Sequence, residues 1–340
     1  MFTIKYSPKT IDQLDYGDTK LLKSLCTPPN SFRSTIIYGR NGVGKRTRAY
    51  CMLNKLYGDE ANKSSISRIP LESNKRVTIQ IKFSLYHLEV DPTEYNNKEF
   101  QVLSQLIDIK KQMYFVDSSR CKYYTYIIHN VDKLSIQSQQ FIVQAIERGT
   151  NIRFILLTNN YGLLPSKIRS STVKIRINGP NKGDIKKIFT NIGEKEGFKV
   201  SKLAVERIMN KMINHDSIKE ALYLFQLSYR SGKFTEYKQL WHENLECIIA
   251  LVSKFNPKMV NEKFWLDLRE LLIKTLLSSF EASNAIKYIL NHFITDIKYK
   301  EIWLKIIDCA ALFESRMDGS GKDLVHLESF IINLTQILLG

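Results

Sequence analysis

Over the first half of the chain, short apolar runs alternate with longer stretches of helical spacing. Runs at 35–38, 86–90, 124–129, 154–158 and 173–177 predict strands, short enough and apolar enough to be buried on both faces. Between them, 45–57 puts Ala49, Met52, Leu53 and Leu56 on one helical face, and 98–110 and 138–147 also predict helices. This alternation predicts a parallel sheet wrapped by helices. An apolar/polar alternation at 77–83 adds a strand ahead of Tyr86. Asn178-Gly179-Pro180-Asn181 then breaks the pattern. Beyond it the strand signal vanishes: 182–196, 203–212 and 217–228 predict a small helical bundle ending near Ser231-Gly232-Lys233. Amphipathic segments at 240–253, 264–276, 282–294, 301–313 and 325–338 fill the remainder, with leucine and aromatic stripes that predict a helical core and no solenoid period. The expected fold class is α/β plus all-α, in three domains: 1–178, 179–234 and 235–340.

The first predicted strand runs into Gly39-Arg40-Asn41-Gly42-Val43-Gly44-Lys45-Arg46-Thr47, the spacing of a phosphate-binding loop up to its lysine. Strand, glycine-rich turn and helix is the context such a loop requires. The glycines let backbone N–H groups converge on phosphate, the helix N-terminus adds partial positive charge, and Lys45 adds a full one. Gly39, Asn41, Gly42, Val43, Gly44, Lys45, Arg46 and Thr47 are therefore nucleotide-binding candidates. Arg46, however, stands where a Ser or Thr hydroxyl normally ligates Mg²⁺. A guanidinium has only donors and cannot be a ligand, and Thr47 points ~100° round the helix.

The strand at 124–128 departs in the same direction. In an ATPase of this type it ends in Asp-Glu, which orient the metal and polarise the attacking water. Here it ends in His129-Asn130, and Asp132 lies beyond the strand end as a loop or cap carboxylate. With these losses the chain is expected to hold nucleotide without Mg²⁺-assisted hydrolysis, in a pocket lacking a carboxylate for the metal.

Composition narrows the partners. The 340 residues are 44% hydrophobic with a net charge of +16, an excess that favours a polyanion such as nucleic acid. No apolar stretch reaches membrane-span length, and Met1-Phe2-Thr3-Ile4-Lys5 does not read as a signal peptide. Cys26, Cys51, Cys121, Cys247 and Cys309 are scattered without C-x-x-C spacing, so neither zinc nor disulfides are expected.

Several motifs go further. Lys5-Tyr6-Ser7-Pro8-Lys9 resembles the Lys-Tyr-Arg-Pro-Lys opening of replication factor C subunits, which lies near the adenine and makes Tyr6 a nucleotide-binding candidate. Tyr86-His87-Leu88-Glu89-Val90-Asp91-Pro92 with Asn96-Asn97 is similar to a stretch peculiar to one small-subunit branch, the third subunit in vertebrates and the fifth in budding yeast. Phe313-Glu314-Ser315-Arg316 and His326-Leu327-Glu328-Ser329-Phe330 match the same branch, so the resemblance spans nearly the whole chain. That branch is known for a degenerate ATPase site.

The resemblance implies an AAA+ RecA-like nucleotide domain, a helical lid and a C-terminal helical collar. It implies a clamp loader shared with four other replication factor C subunits, which places the sliding clamp PCNA on primer–template DNA with ATP bound elsewhere. The expected cofactor is ADP or ATP bound without turnover, with no Mg²⁺ requirement and no zinc; the expected location is the nucleus, or the cytoplasm if the chain is virus-encoded. The family's Ser-Arg-Cys arginine finger falls on Ser170-Ser171-Thr172, leaving Arg169 two residues upstream as the possible contact in trans. The family's paired arginines in the helix after His129 are replaced by Val143 and Gln144. Asn160, just past the strand at 154–158, and Lys219, in 216–222, are nucleotide-binding candidates only on this resemblance, which other motifs carry. They fall on the family's first and second sensor positions, where an amide can reach the γ-phosphate or the attacking water and a lysine can meet phosphate as a point charge. DNA candidates, through the phosphate backbone and independent of sequence, are Lys110, Lys111, Arg120 and Lys122. Met113-Tyr114-Phe115 is apolar and aromatic but is not a convincing clamp-binding peptide. Two other readings stay open: a catalytically active AAA+ ATPase acting on DNA, and a free-standing nucleic-acid-binding protein with a vestigial P-loop.

Overall fold

The computed structural model describes residues 2–95, 98–112, 123–148, 151–198, 200–212, 217–231, 240–253, 262–277, 282–320 and 323–339. Two compact units divide the chain, Met1–Thr235 and Glu236–Gly340.

The first unit opens with α1 (Phe2–Lys5) and α2 (Thr19–Leu25), the latter capped by the Asp18 carboxylate, which accepts from the Leu21 N–H at 2.9 Å. β1 (Thr35–Tyr38) passes through the glycine-rich loop into α3 (Lys45–Tyr57). There follow β2 (Ser65–Leu71), β3 (Asn74–Phe83), β4 (His87–Val90), α4 (Glu99–Gln112), β5 (Tyr124–Ile128) and α5 (Ile136–Glu147). β6 (Ile152–Thr158), α6 (Ser166–Ser171) and β7 (Val173–Arg176) complete the sheet region, and α7 (Lys182–Glu196), α8 (Lys202–Lys211) and α9 (Ile218–Ser231) form a helical trio.

The sheet has seven strands in the order β2-β3-β4-β5-β6-β1-β7. From β4 to β7 every neighbouring pair is parallel, whereas β3 runs antiparallel to both β2 and β4. The parallel part is the helix-wrapped sheet that the strand–helix alternation implied. Its strands are buried on both faces because successive side chains point opposite ways. Ile36, Tyr126, Ile128, Phe154 and Leu156 pack into the layer with α4 and α5, while Ile37, Ile127, Ile155 and Leu157 pack into the layer with α3. β1 sits between β6 and β7, so the loop leaving it lies at the carboxyl edge of the sheet, where α/β sheets take their ligands.

Four of these elements, α1, α2, β2 and α6, escaped the sequence pattern. β2 reads as interrupted because it contains Pro70, but it is the outermost strand, where a missing N–H is tolerated. The single strand expected at 77–83 is thus the second half of a hairpin. α1 has only four residues, too few to show a period. It docks into the helical trio: the Phe2 N–H donates to Gln226 Oε1 at 2.8 Å, and Phe2 shares a core with Ile185, Phe189 and Phe225. α7 in that trio is fixed at both ends, by an Asn181/Asp184 capping box and by left-handed Gly197.

The second unit contains α10 (Leu240–Ser253), α11 (Glu262–Leu277), α12 (Ala282–Thr295), α13 (Trp303–Ser320) and α14 (Asp323–Leu339). Its buried stripes include Leu245, Leu272, Ile289, Phe293, Phe330 and Leu334. No helix among the described residues is long and apolar enough to cross a membrane.

Candidate nucleotide site

The loop between β1 and α3 has the backbone of a phosphate cradle. Gly42 and Gly44 adopt φ of +78° and +80°, a left-handed conformation that side-chain-bearing residues rarely take, and Gly44 forms the N-cap of α3. At Gly42 a side chain is excluded on a second ground: a Cβ would lie 2.0 Å from Ser217 Oγ at the start of α9. The Lys219 N–H donates to the Gly42 carbonyl at 3.3 Å, while the Lys219 side chain is exposed. The main chain of Lys219, and not its ammonium, touches the loop.

Lys45 folds over the mouth of the loop, donating to the carbonyls of Gly39 at 2.8 Å and Arg40 at 2.9 Å and to Asn159 Oδ1 at 2.6 Å. The polar contact from the end of β6 therefore comes from Asn159, one residue before the expected Asn160. Asp132 fixes this turn: its carboxylate accepts from the N–H of Asn159 at 3.5 Å and of Asn160 at 3.0 Å. Asn160 is exposed. A cavity of about 750 Å³ opens beside the loop, lined in part by Tyr38, Arg40, Asn159, Tyr161 and Arg176.

The carboxylate that the sequence reading found missing is supplied by another strand. Glu89 on β4 has a side chain only 4% exposed, and the register of β4 on β5 brings it beside His129. Arg46 forks onto it, with Nε 2.6 Å from Oε1 and Nη2 3.0 Å from Oε2. His129 Nε2 lies 2.6 Å from Oε1, and the Tyr50 hydroxyl donates to Oε2. Burial pushes the Glu89 carboxyl up, but the His129 hydrogen bond, the Arg46 charge and the Tyr50 hydroxyl outweigh it and bring it to about 2. Burial and then the Glu89 charge push the Tyr50 hydroxyl well above its ordinary value. The signal was present in the sequence: a lone Glu inside an apolar buried strand has to be paired.

These contacts test which ligand the site fits. Both Glu89 oxygens are already taken by donors, and the position of the metal-binding hydroxyl carries a guanidinium. The second expected position, Asn130, has φ of 49° and donates to Asp91 Oδ2 at 2.6 Å, an Asp already accepting from Thr93. Around Arg46 the groups are donors suited to an anion, and both Glu89 oxygens are occupied. Among the described residues no cluster of three or more His, Cys, Asp or Glu could hold a metal.

The remaining candidates are dispersed. Tyr6 donates to Glu196 Oε1 at 2.5 Å, beside a Lys5–Glu196 ion pair of 2.7 Å, and packs against the helical-trio core. Arg169 is exposed on α6, 5.8 Å from the centre of the Tyr161 ring, and α6 continues through Ser170 and Ser171. Lys110 and Lys111 lie in the last turn of α4. Arg120, Lys122, Met113-Tyr114-Phe115 and Asn96-Asn97 fall outside the described residues.

No family model matches the chain. It is 27% identical over 342 residues to replication factor C subunit 5 of Schizosaccharomyces pombe, spanning 96% of this chain and 93% of that one. It is 26% identical over 339 residues to mouse replication factor C subunit 3, with the same coverage, and 25% identical over 347 residues to subunit 5 of Saccharomyces cerevisiae, covering 96% of each. Among solved structures, a RuvB variant from Thermotoga maritima aligns at 13% identity with a TM-score of 0.47, covering 85% of this chain and 80% of its own. Over nearly its full length the chain is thus similar in sequence to replication factor C subunits 3 and 5, and its P-loop and Tyr86–Pro92 stretch lie in a largely parallel sheet followed along the chain by a helical unit.

Proposed function

We propose that the chain is the clamp-loader subunit that holds a nucleotide without splitting it. It assembles with four other replication factor C subunits, in the nucleus, to place the sliding clamp PCNA on primer–template DNA. The observation that carries this reading is Arg46. From the metal ligand's position it is forked onto Glu89, leaving neither a Mg²⁺ ligand nor a carboxylate free to prime water. The loop amides and Lys45, exchanging its contacts to Gly39, Arg40 and Asn159 for phosphate, hold ADP or ATP by fixed positive charge. Leu266, Leu277 and Leu304, at 60%, 78% and 77% exposure, give the helical unit apolar surface suited to partner subunits. The net charge of +16 and the Lys110–Lys111 pair suit sequence-independent contact with the DNA backbone.

Purified full-length chain with ATP and Mg²⁺ tests the reading. The expected result is nucleotide binding that survives EDTA, no turnover above that of Lys45→Ala, and co-purification with four AAA+ partners. Turnover that Lys45→Ala abolishes would establish an active ATPase instead.

A further inference from the structure

Arg48, in the first turn of α3, is 1% exposed and is among the largest fully buried side chains of the chain. Its Nη1 donates to the carbonyls of Val43 at 2.9 Å and Gly44 at 3.2 Å, and its Nη2 to the carbonyl of Tyr16 at 2.8 Å. The guanidinium lies 4.4 Å from the centre of the Tyr16 ring, and the Tyr16 hydroxyl donates to the same Val43 carbonyl at 2.8 Å. Nε, also buried, has no acceptor. Among the described residues no carboxylate pairs with Arg48, unlike Arg46 a half-turn away. The chain also makes room for it, since a Cβ would lie 2.9 Å from Nη1 at Gly44 and 3.0 Å from Nη2 at Gly17.

A buried charge held by neutral carbonyls and one aromatic ring, with no carboxylate, is a poor way to stabilise a fold. It makes sense where an anion completes it. The two P-loop carbonyls that Arg48 holds are drawn to the rear of the loop, which leaves the front to amide N–H groups. Its charge also sits in a low-dielectric position directly behind them, where it acts on phosphate without a metal. We propose that Arg48 is a positioning residue of the nucleotide site, fixing the loop from behind and supplying a built-in charge that the polyphosphate neutralises. This rests on the nucleotide-holding reading above.

The test uses the full chain, with ADP and separately pyrophosphate titrated calorimetrically in EDTA, alongside melting of the ligand-free protein. Arg48→Met is expected to weaken ADP by about tenfold or more while the ligand-free melting temperature holds or rises, because an incompletely satisfied charge has gone. Arg48→Lys keeps the charge and loses the fork, so it is expected to fall between Met and wild type. Binding of ADP by either folded variant within about twofold of wild type overturns the proposal. So does Arg48→Met that melts far below wild type or fails to fold, together with Arg48→Lys that recovers neither stability nor affinity; that pair of results is a structural residue's signature. A wild-type chain that binds neither ADP nor pyrophosphate refutes the nucleotide reading itself, a distinct outcome.

Discussion

Replacing Glu89 by Gln removes one charge and almost no volume from the centre of the Arg46–Tyr50–His129 cluster. In the folded chain the carboxyl sits at about 2 against an ordinary 4.5. At ~1.4 kcal/mol per pH unit that drop amounts to about 3 kcal/mol in favour of the folded, ionised form. Arg46 is 56% exposed, and screening of that partner brings the expectation to about 2–3 kcal/mol. The sign follows from proton uptake: between 2 and 4.5 the unfolded chain binds the proton more readily than the folded one. The contribution is therefore complete above about pH 4.5 and disappears as pH falls towards 2. Glu89→Gln should thus cost about 2–3 kcal/mol at pH 7, and by pH 3.5 about 1 kcal/mol of that gap should have closed. Urea unfolding followed by far-ultraviolet circular dichroism measures this. Trp241, Trp265 and Trp303 all lie in the second unit, so tryptophan fluorescence reports that unit separately and allows the first to be isolated. A variant as stable as wild type at pH 7, or a gap of equal size at pH 7 and pH 3.5, would refute an ionised Glu89 at the heart of the cluster.

Arg46→Thr restores a metal-binding hydroxyl and uncovers a buried carboxylate; it should cost about 1–3 kcal/mol and make nucleotide affinity sensitive to EDTA, read by titration with and without Mg²⁺. Gly42→Ala puts a Cβ 2.0 Å from Ser217 Oγ at a φ of +78°, and should cost about 1–3 kcal/mol and lower amide-exchange protection at the start of α9. Phe2→Ala empties a site that is 7% exposed, among Tyr6, Phe225 and Tyr229, and should lower urea-unfolding stability of the first unit by about 2–4 kcal/mol.

The sheet and helices were legible because burial on both faces leaves a continuous apolar run, as in β1 and β5, and because long helices keep their period. The hairpin was half legible: β3 alternates, while Pro70 hid β2 until its edge position was known. The loop was readable from spacing alone, since glycine is required by backbone geometry that sequence records directly. The Arg46–Glu89 pair was not, because it joins the first turn of α3 to β4 across 43 positions, and only the pairing of β4 with β5 brings Glu89 beside His129. Arg48 was hidden for a related reason. In sequence it is one more basic residue on a helix, and its burial depends on the approach of Tyr16.

An active site of this fold takes its divalent cation from solvent with each nucleotide and gives it up again. Under the proposed function the cation is instead part of the chain, so its charge would be present whether or not nucleotide is bound, and the nucleotide would become a ligand of the fold. A ligand at a hundredfold over its Kd stabilises the folded state by about 2.7 kcal/mol, the same order as the Glu89 cluster. That gain acts where the loop meets α9, through the Gly42 carbonyl and the Lys219 N–H. Under the proposed function, occupancy of the loop therefore tightens the helical trio against the sheet. The melting temperature of the first unit should rise with ADP in EDTA and be unaffected by added Mg²⁺, whereas an increase that requires the metal would contradict a built-in cation.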